Sequence, residues 1–343
     1  MAPKTVDAAS LTGFATAVFT RAGLAADHAA TLADVIVWAS LRGVDSHGAP
    51  YIARYLDLLD SGKANAKPDI RIESTSAAVC TVDADRAPGP VALALAADEA
   101  AARARTHGIG AAAVRRTTLT GAIGYYATRI AEAGLVGIGF VAGMPNMAYP
   151  GVKGAAVATS PLAVAAPTAS GPVPLLDMAT ATMALGRIKQ YRQSGEPLPE
   201  GAAATADGVP TTDPAQAVLP LPLGGAKGAG MSLAFELLTS VLVGEPIVSA
   251  FHEGDRKHRQ NALLIALDPA AFGAGDYPAA VAGTIAAVKS LPRLDESAEP
   301  RVPGDRGAAS EADRRADGIP LSPKVWADLE AAADRFGVPL PSE

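Results

Sequence analysis

Apolar residues recur at helical spacing near both ends of the chain. Residues 10–22 and the segment that ends near Gly43 each place large apolar side chains on one face, which predicts two amphipathic helices. A third helix is predicted from Pro50 to Gly62, because proline suits a first helical position and glycine often follows a last one. The spacing at 323–337 predicts a helix that closes the chain.

The middle of the chain has a different sequence pattern, in which short runs rich in β-branched residues alternate with alanine-rich runs at helical spacing. Such alternation predicts an α/β fold with a sheet layer. The polar segments 195–218 and 295–318 lack periodicity and are predicted to be irregular. The predicted strands lie within 70–85, 108–116, 135–143, 158–167, 173–180 and 263–269, and the predicted helices at 90–108, 121–134, 182–195, 228–244 and 276–291.

The length of 343 residues exceeds that of one simple domain, so two lobes, or one core with a large insertion, are expected. Residues 1–70 together with 250–343 are predicted to form a helical lobe from both termini. Residues 71–249 are predicted to form a central, mixed-sheet α/β lobe.

Composition and charge exclude several classes of protein. Apolar residues make up 49% of the chain and the formal net charge is −6 without a Lys/Arg block, which argues against nucleic-acid binding. No apolar run is long enough to suggest a membrane span or a secretion signal. Cys80 is the single cysteine and the histidines lack metal-ligand spacing, so we expect a cytoplasmic protein with no metal.

Two glycine-rich segments bear on nucleotide binding. GIGAAA at 108–113 matches a dinucleotide fingerprint formally, but here the glycines follow a helix and precede a strand, the reverse of the required order. GGAKGAG at 224–230 places a lysine among glycines before a helix. That arrangement suits an anionic ligand, and it equally suits a plain junction between a loop and a helix.

Two side chains carry candidate chemistry. His47 lies between Ser46 and Gly48 just before a predicted helix, and it is either a turn residue or a group that exchanges protons with a substrate. Asp177 follows an apolar strand. It either orients and polarises His47 or caps the helix that comes next.

Six motifs in order make the chain resemble the malate/L-lactate dehydrogenase family, which includes ureidoglycolate dehydrogenase, sulfolactate dehydrogenase, diketogulonate reductase and piperideine-2-carboxylate reductase. The likeness spans nearly the whole chain. The motifs are RGVDSHGAPYIARYL, GAIGYYATRIAEAGLVGIGF, LLDMATATMALGRI, GVPTTDP, LGGAKGAG and VPGDRG.

The resemblance implies a non-Rossmann, NAD- or NADP-dependent oxidoreductase, with residues 71–249 as the cofactor-binding lobe. It also implies a homodimer that acts on a small molecule between its lobes. The implied catalytic residues are His47 as general acid/base, Ser46 beside it and Asp177 close to it. The implied cofactor-binding residues are Ser160, Leu176, Asp177, Met178, Ala179, Thr180, Lys227, Gly228, Gly304, Asp305 and Arg306.

The chain departs from the family pattern where the substrate would bind. Tyr51 replaces an arginine suited to a carboxylate, Leu119 replaces a second histidine, and Ser160 replaces an asparagine. The expected substrate-binding residues are Tyr51, Arg54, Leu119 and Thr120. We therefore favour a reductase of a cyclic imine or a specialised 2-oxo acid, with a catabolic 2-hydroxy-acid dehydrogenase and a non-catalytic nucleotide-binding protein as alternatives.

Overall fold

A computed structural model describes residues 4–74 and 76–342. The helices are α1 Ala8–Arg21, α2 Ala26–Leu41, α3 Pro50–Asp60, α4 Gly89–His107, α5 Gly124–Glu132, α6 Leu185–Ser194, α7 Ala226–Glu236, α8 Val248–His252, α9 Tyr277–Lys289, α10 Asp305–Asp317 and α11 Pro323–Phe336. The strands are β1 Lys4–Val6, β2 Arg71–Glu73, β3 Val79–Asp83, β4 Ile109–Thr117, β5 Val136–Gly143, β6 Leu162–Ala165, β7 Leu175–Met178, β8 Ala203–Ala204, β9 Pro210–Thr211, β10 Leu219–Pro220, β11 Gln260–Leu267 and β12 Ile319–Leu321.

A mixed sheet of seven strands forms the centre of the fold, in the order β2-β3-β4-β11-β5-β6-β7. The pair β3 and β4 is parallel and the other pairs are antiparallel. Gly108 ends α4 with φ +81°, and a Cβ at Gly110 would lie 2.0 Å from the carbonyl oxygen of Ala100. These glycines therefore serve a close helix–strand junction, and the α/β fold class predicted from the sequence is confirmed.

Two hydrophobic cores account for the chain's apolar pattern. One lies between the sheet and helices α4 and α5, and includes the fully buried Leu93 and Tyr126. The other joins helices α1, α2, α3 and α11, and includes Phe19, Ile36 and Trp326. Burial of these side chains is the main stabilising contribution to each half.

Strand β11 lies in the middle of the sheet, hydrogen-bonded to β4 on one side and β5 on the other. It comes from the range 250–343 that the sequence analysis grouped with the terminal helices, so this stretch belongs with the sheet instead. The sequence pattern predicted a strand at 263–269, but chain order does not reveal which sheet a strand joins, because sheet neighbours can be distant in sequence. The division into two lobes otherwise stays a prediction.

Two segments predicted to be irregular contain regular structure, and those predictions were wrong. Strands β8 and β9 of 195–218 form a small antiparallel sheet with β10, in which Ala203 and Ala204 are fully buried. Helix α10 occupies half of 295–318 although none of its residues is fully buried. Tertiary contacts and ion pairs determine the secondary structure of both segments. Such contacts leave no apolar periodicity in the sequence.

Candidate active site

His47 lies on a tight turn between α2 and α3. The hydroxyl of Ser40, in α2, accepts a 2.9 Å hydrogen bond from the backbone N–H of Ala49. A Cβ at Gly48 would lie 2.3 Å from that hydroxyl oxygen, so only glycine fits this close approach. The turn is thus held against the end of α2, and the predicted position of His47 just before a helix is confirmed.

The imidazole of His47 contacts two neighbouring side chains, Ser46 and Tyr51. Its Nδ1 lies 2.9 Å from the hydroxyl of Ser46, and its ring centroid is 5.1 Å from that of Tyr51. Burial, and next the nearby guanidinium of Arg54, lower the pKa of His47 from 6.5 to about 4. The ring is therefore neutral near pH 7, and Nε2 is the nitrogen left for a substrate.

One face of α3 brings the predicted substrate-binding residues toward this imidazole. The guanidinium of Arg54 lies 5.7 Å from the ring centroid of Tyr51. The next residue, Tyr55, is fully buried and donates a 2.8 Å hydrogen bond to the carbonyl oxygen of Leu119. Helix α3 is thereby fixed against the loop that follows β4.

Leu119 and Thr120 lie on that loop with their side chains turned into the protein. Leu119 packs in the core of the terminal helices, and Thr120 is also buried. The backbone N–H of Thr120 donates a 2.8 Å hydrogen bond to Gln260, at the start of β11. Contact of these two residues with substrate stays a prediction, while their anchoring role is visible in the structure.

His258 is a candidate that the sequence analysis set aside. It precedes Gln260 by two residues, and its Nε2 is buried without a hydrogen-bond partner among the described residues. Burial, then the charges of Arg54 and Lys63, lower the pKa of His258. Because Arg54 influences both His47 and His258, all three belong to one electrostatic neighbourhood, which no spacing in the sequence reveals.

Asp177 lies on β7, the edge strand of the sheet. Its Oδ2 accepts a 2.9 Å hydrogen bond from the backbone N–H of Gly124, the first residue of α5. A Cβ at Gly124 would lie 2.6 Å from that oxygen. The carboxylate thus caps α5 rather than the next helix, α6, which begins only at Leu185; neither interpretation from the sequence named this partner.

The surroundings of Asp177 disfavour the charged form of its carboxyl group. Burial raises its pKa from 3.8 to about 6, against the opposing effects of the Gly124 N–H and the charge of Arg42. The residue is nevertheless exposed to solvent in this chain. Carboxyl groups with raised pKa values are frequent at functional sites.

The predicted cofactor segment continues from β7 to Thr180. Leu176 is exposed, Met178 and Ala179 are half-buried, and Thr180 is buried. The hydroxyl of Thr180 has no hydrogen-bond partner within the described chain. A buried hydroxyl is normally bonded, so this orphaned group suits a ligand.

The lysine–glycine turn packs directly on this segment. The carbonyl oxygen of Thr180 accepts a 2.9 Å hydrogen bond from the N–H of Leu223, and a Cβ at Gly228 would lie 2.4 Å from that same oxygen. Lys227 is exposed at the start of α7. Farther along α7, Ser232 donates to the buried Ser160 at 3.4 Å. The structure therefore brings these separate predicted cofactor residues together.

The turn at Gly304 packs on the other end of β7. Gly304 has φ +101°, and a Cβ there would lie 2.9 Å from the backbone nitrogen of Leu175. That N–H donates a 3.1 Å hydrogen bond to the carbonyl oxygen of Pro303. The carboxylate of Asp305 accepts from Lys289 at 2.7 Å, which assigns it a structural task at the start of α10, while Arg306 remains exposed.

Helix α10 connects this turn to the turn that bears His47. Arg314 forms an ion pair with Asp45, two residues before His47. Ser310 donates a 3.1 Å hydrogen bond to the carbonyl oxygen of Leu41, the last residue of α2. The histidine turn and the predicted cofactor turn at Gly304 are therefore held by the same helix.

Residues 4–74 and 76–342 contain no group of three or more His, Cys, Asp or Glu side chains that could hold a metal ion. No helix in them has the length and apolar character required to cross a bilayer.

Comparison with known proteins decides the family. The family model described as malate/L-lactate dehydrogenase matches residues 6–330. This chain belongs to the malate/L-lactate dehydrogenase family. That membership confirms the resemblance seen in its six motifs and makes the chain a member of an enzymatic family of oxidoreductases.

Individual members of the family are similar to this chain over most of its length. The malate dehydrogenase of Pyrococcus horikoshii is 32% identical over 96% of this chain and 94% of its own length. The ureidoglycolate dehydrogenase (NAD(+)) of Escherichia coli K12 is 33% identical over 75% of this chain and 74% of its own. The solved Δ1-piperideine-2-carboxylate reductase of Pseudomonas syringae pv. tomato is 30% identical, with a TM-score of 0.85 over 96% of this chain and 99% of that one.

Proposed function

We propose that this protein transfers a hydride between the nicotinamide of NAD or NADP and the carbon of a C=O or C=N bond, with His47 as general acid/base. The observation that carries the proposal is that α10 joins the turn bearing His47 to the Gly304 turn, which packs on β7. Predicted catalytic and cofactor residues that are distant in sequence thus lie on connected elements.

The residues present fit a dinucleotide. Lys227 and the first backbone N–H groups of α7 suit the negative charge of a pyrophosphate, and the orphaned hydroxyl of Thr180 suits a polar cofactor atom. When bound, the nicotinamide would supply or accept the hydride. The name of the E. coli ureidoglycolate dehydrogenase, which includes NAD(+), supports the same cofactor class here.

His47 supplies the proton chemistry in this proposal. Its neutral Nε2 accepts the proton of a substrate hydroxyl during oxidation and returns it to oxygen or nitrogen during reduction. Ser46, bonded to Nδ1 at 2.9 Å, fixes the orientation of the ring. The low pKa of His47 in the free protein favours the proton-accepting form, and a bound substrate anion near Arg54 would raise it.

Arg54 is the proposed partner of a substrate carboxylate, in place of the arginine that Tyr51 replaces. We favour reduction of a 2-oxo acid or a cyclic imine, a choice supported by the likeness to the piperideine-2-carboxylate reductase. The likeness to malate dehydrogenase favours the alternative, a catabolic 2-hydroxy-acid dehydrogenase. A non-catalytic nucleotide-binding role is the third candidate, which the intact His47 turn argues against.

A homodimer is the proposed assembly. The end of α7 and the turn after it expose large apolar side chains, and α9 has no fully buried residue. An apolar surface of this kind is typical of a subunit interface. The exposed residues are Leu233, Leu237, Leu238, Val241 and Leu242.

A cytoplasmic location is also proposed, on the strength of the cysteine content alone. Cys80 is a free, buried thiol, as is usual in proteins of a reducing compartment.

The experiment that tests the proposed function follows reduced-cofactor absorbance with NADH and NADPH against a panel of 2-oxo acids and cyclic imines. The reverse reaction is measured with malate and lactate and the oxidised cofactors. Turnover of at least one C=O or C=N substrate is expected. Cofactor binding without turnover of any panel member would favour the non-catalytic role, and rapid oxidation of malate or lactate would favour the catabolic alternative.

A further inference from the structure

A basic cavity lies beside the Gly304 turn, between the end of α9, the chain after it and α10. Its volume is about 1150 Å³. Five cations and three acids line it, in a chain whose formal net charge is −6. The cations are Lys289, Arg293, Arg301, Arg306 and Arg314, and the acids are Glu299, Asp305 and Asp313.

The ion pairs in this cavity leave several arginines available. Lys289 is committed to Asp305 at 2.7 Å, and Arg314 pairs with Asp45. Arg293 reaches Glu299 only at 3.7 Å, and that glutamate is 84% exposed, so the pair is weak. No hydrogen bond or ion pair involves the guanidinium of Arg301 or Arg306 in the described chain.

This cavity lies apart from the Lys227 turn. The Lys227–Gly228 turn packs on Thr180, whereas the Gly304 turn packs on Leu175, at the opposite end of the segment. NAD carries its negative charge on one pyrophosphate, while NADP carries a further phosphate on the 2′-hydroxyl of its adenosine ribose. Two basic places along one segment therefore match NADP better than NAD.

The acids of the cavity are poorly placed to select NAD. NAD-specific sites commonly use a carboxylate to accept hydrogen bonds from the ribose hydroxyls, whereas an arginine there accommodates the 2′-phosphate. Asp305 is already bonded to Lys289 and to the N–H of Val302. Arginine, in contrast, matches a phosphate with two parallel N–H donors.

We propose that Arg301 and Arg306, with Arg293 released from Glu299, bind the 2′-phosphate of NADP, and that the protein prefers NADP to NAD. This inference rests on the proposed function, because it assigns the phosphate of that function's cofactor. It names the residues that distinguish the two cofactors, a distinction for which the sequence alone offered no residue.

Binding of nucleotide fragments tests the inference without any turnover. Adenosine 2′,5′-bisphosphate and 5′-AMP are titrated by calorimetry into the wild-type protein and into R301Q and R306Q. Since a hydrogen bond to a charged group contributes about 1.5–3 kcal/mol, each variant should bind the bisphosphate about 10- to 100-fold more weakly. Binding of 5′-AMP should change little, and R105Q, on the distant surface of α4, serves as the matched control.

Further results separate the possible failures. Equal affinity of the wild-type protein for the two fragments, or equal weakening of both by R301Q and R306Q, would overturn the 2′-phosphate assignment and leave the proposed function standing. The second pattern would place another phosphate in the cavity. A 2′-phosphate preference that R301Q and R306Q remove, in a protein that turns over no substrate with either cofactor, would uphold this inference and overturn the proposed function.

Discussion

Asp177 is a predicted catalytic residue whose charge is unfavourable in the folded protein. The substitution Asp177→Asn keeps an oxygen that can accept from Gly124 at the start of α5, and it removes the negative charge. Because burial raises the pKa of this carboxyl, the charge costs the folded state free energy at neutral pH. We therefore predict that Asp177→Asn is more stable than the wild type above pH 6, while its activity is lower.

The sign and size follow from proton linkage. Below pH 3.8 the carboxyl is protonated in both the folded and the unfolded chain and contributes nothing. Between pH 3.8 and about 6, the unfolded chain loses the proton first, so the free energy of unfolding falls with rising pH. At about 1.4 kcal/mol per pKa unit the upper bound is about 3 kcal/mol, and solvent access on one side reduces the expectation to about 1 kcal/mol.

The assay is urea unfolding of both proteins at pH 5 and pH 8. The advantage of Asp177→Asn should grow between the two pH values. Asp305→Asn is the control of opposite sign, because a hydrogen bond from Lys289 lowers the pKa of Asp305; its loss should destabilise the protein by a similar amount at pH 5 and pH 8, since both lie above the unfolded pKa of 3.8. A constant difference between wild type and Asp177→Asn, or a less stable Asp177→Asn at pH 8, would refute the reasoning.

Two further predictions concern the predicted substrate-binding and cofactor-binding residues. Arg54→Gln should raise the pKa of both His47 and His258, because the Arg54 charge lowers both; burial is the larger cause for His47, so less than half of its fall from 6.5 to about 4 should be recovered. NMR titration of the imidazole signals measures this, and unchanged midpoints would contradict the proposed neighbourhood. Gly228→Ala should destabilise the protein by about 1–3 kcal/mol and weaken cofactor binding, because its Cβ would meet the Thr180 carbonyl at 2.4 Å. Gly230→Ala, which meets nothing within 4 Å on the same helix, is the control in thermal unfolding and calorimetry, and equal behaviour of the two variants would count against the close packing.

The spacing of apolar residues predicted those helices and strands whose own apolar side chains enter a hydrophobic core. Helices α1 to α3 and the strands around Val82 and Val114 follow from spacing, because their side chains enter a core. Helix α10 was missed because none of its residues is fully buried. Its ion pair between Glu311 and Arg315, four residues apart, was the one local signal that could have indicated a helix.

The sequence predicted those residues of the candidate site that lie within recognisable motifs. His47 and Ser46 were found as neighbours because they are adjacent in sequence. The cap that Asp177 provides to Gly124 spans 53 residues, and the link from Arg54 to His258 spans most of the chain. Contacts of this kind depend on how the sheet and helices pack, so no local pattern contains them.

Turnover of His47→Gln tests the central claim most directly. The variant should fold like the wild type, as judged by circular dichroism and thermal unfolding, since the wild-type ring makes a hydrogen bond to Ser46 and lies tilted beside the ring of Tyr51. With the best substrate and cofactor of the panel, kcat should fall by about 10²–10⁴-fold. A folded His47→Gln enzyme with turnover close to that of the wild type would show that another group moves the proton.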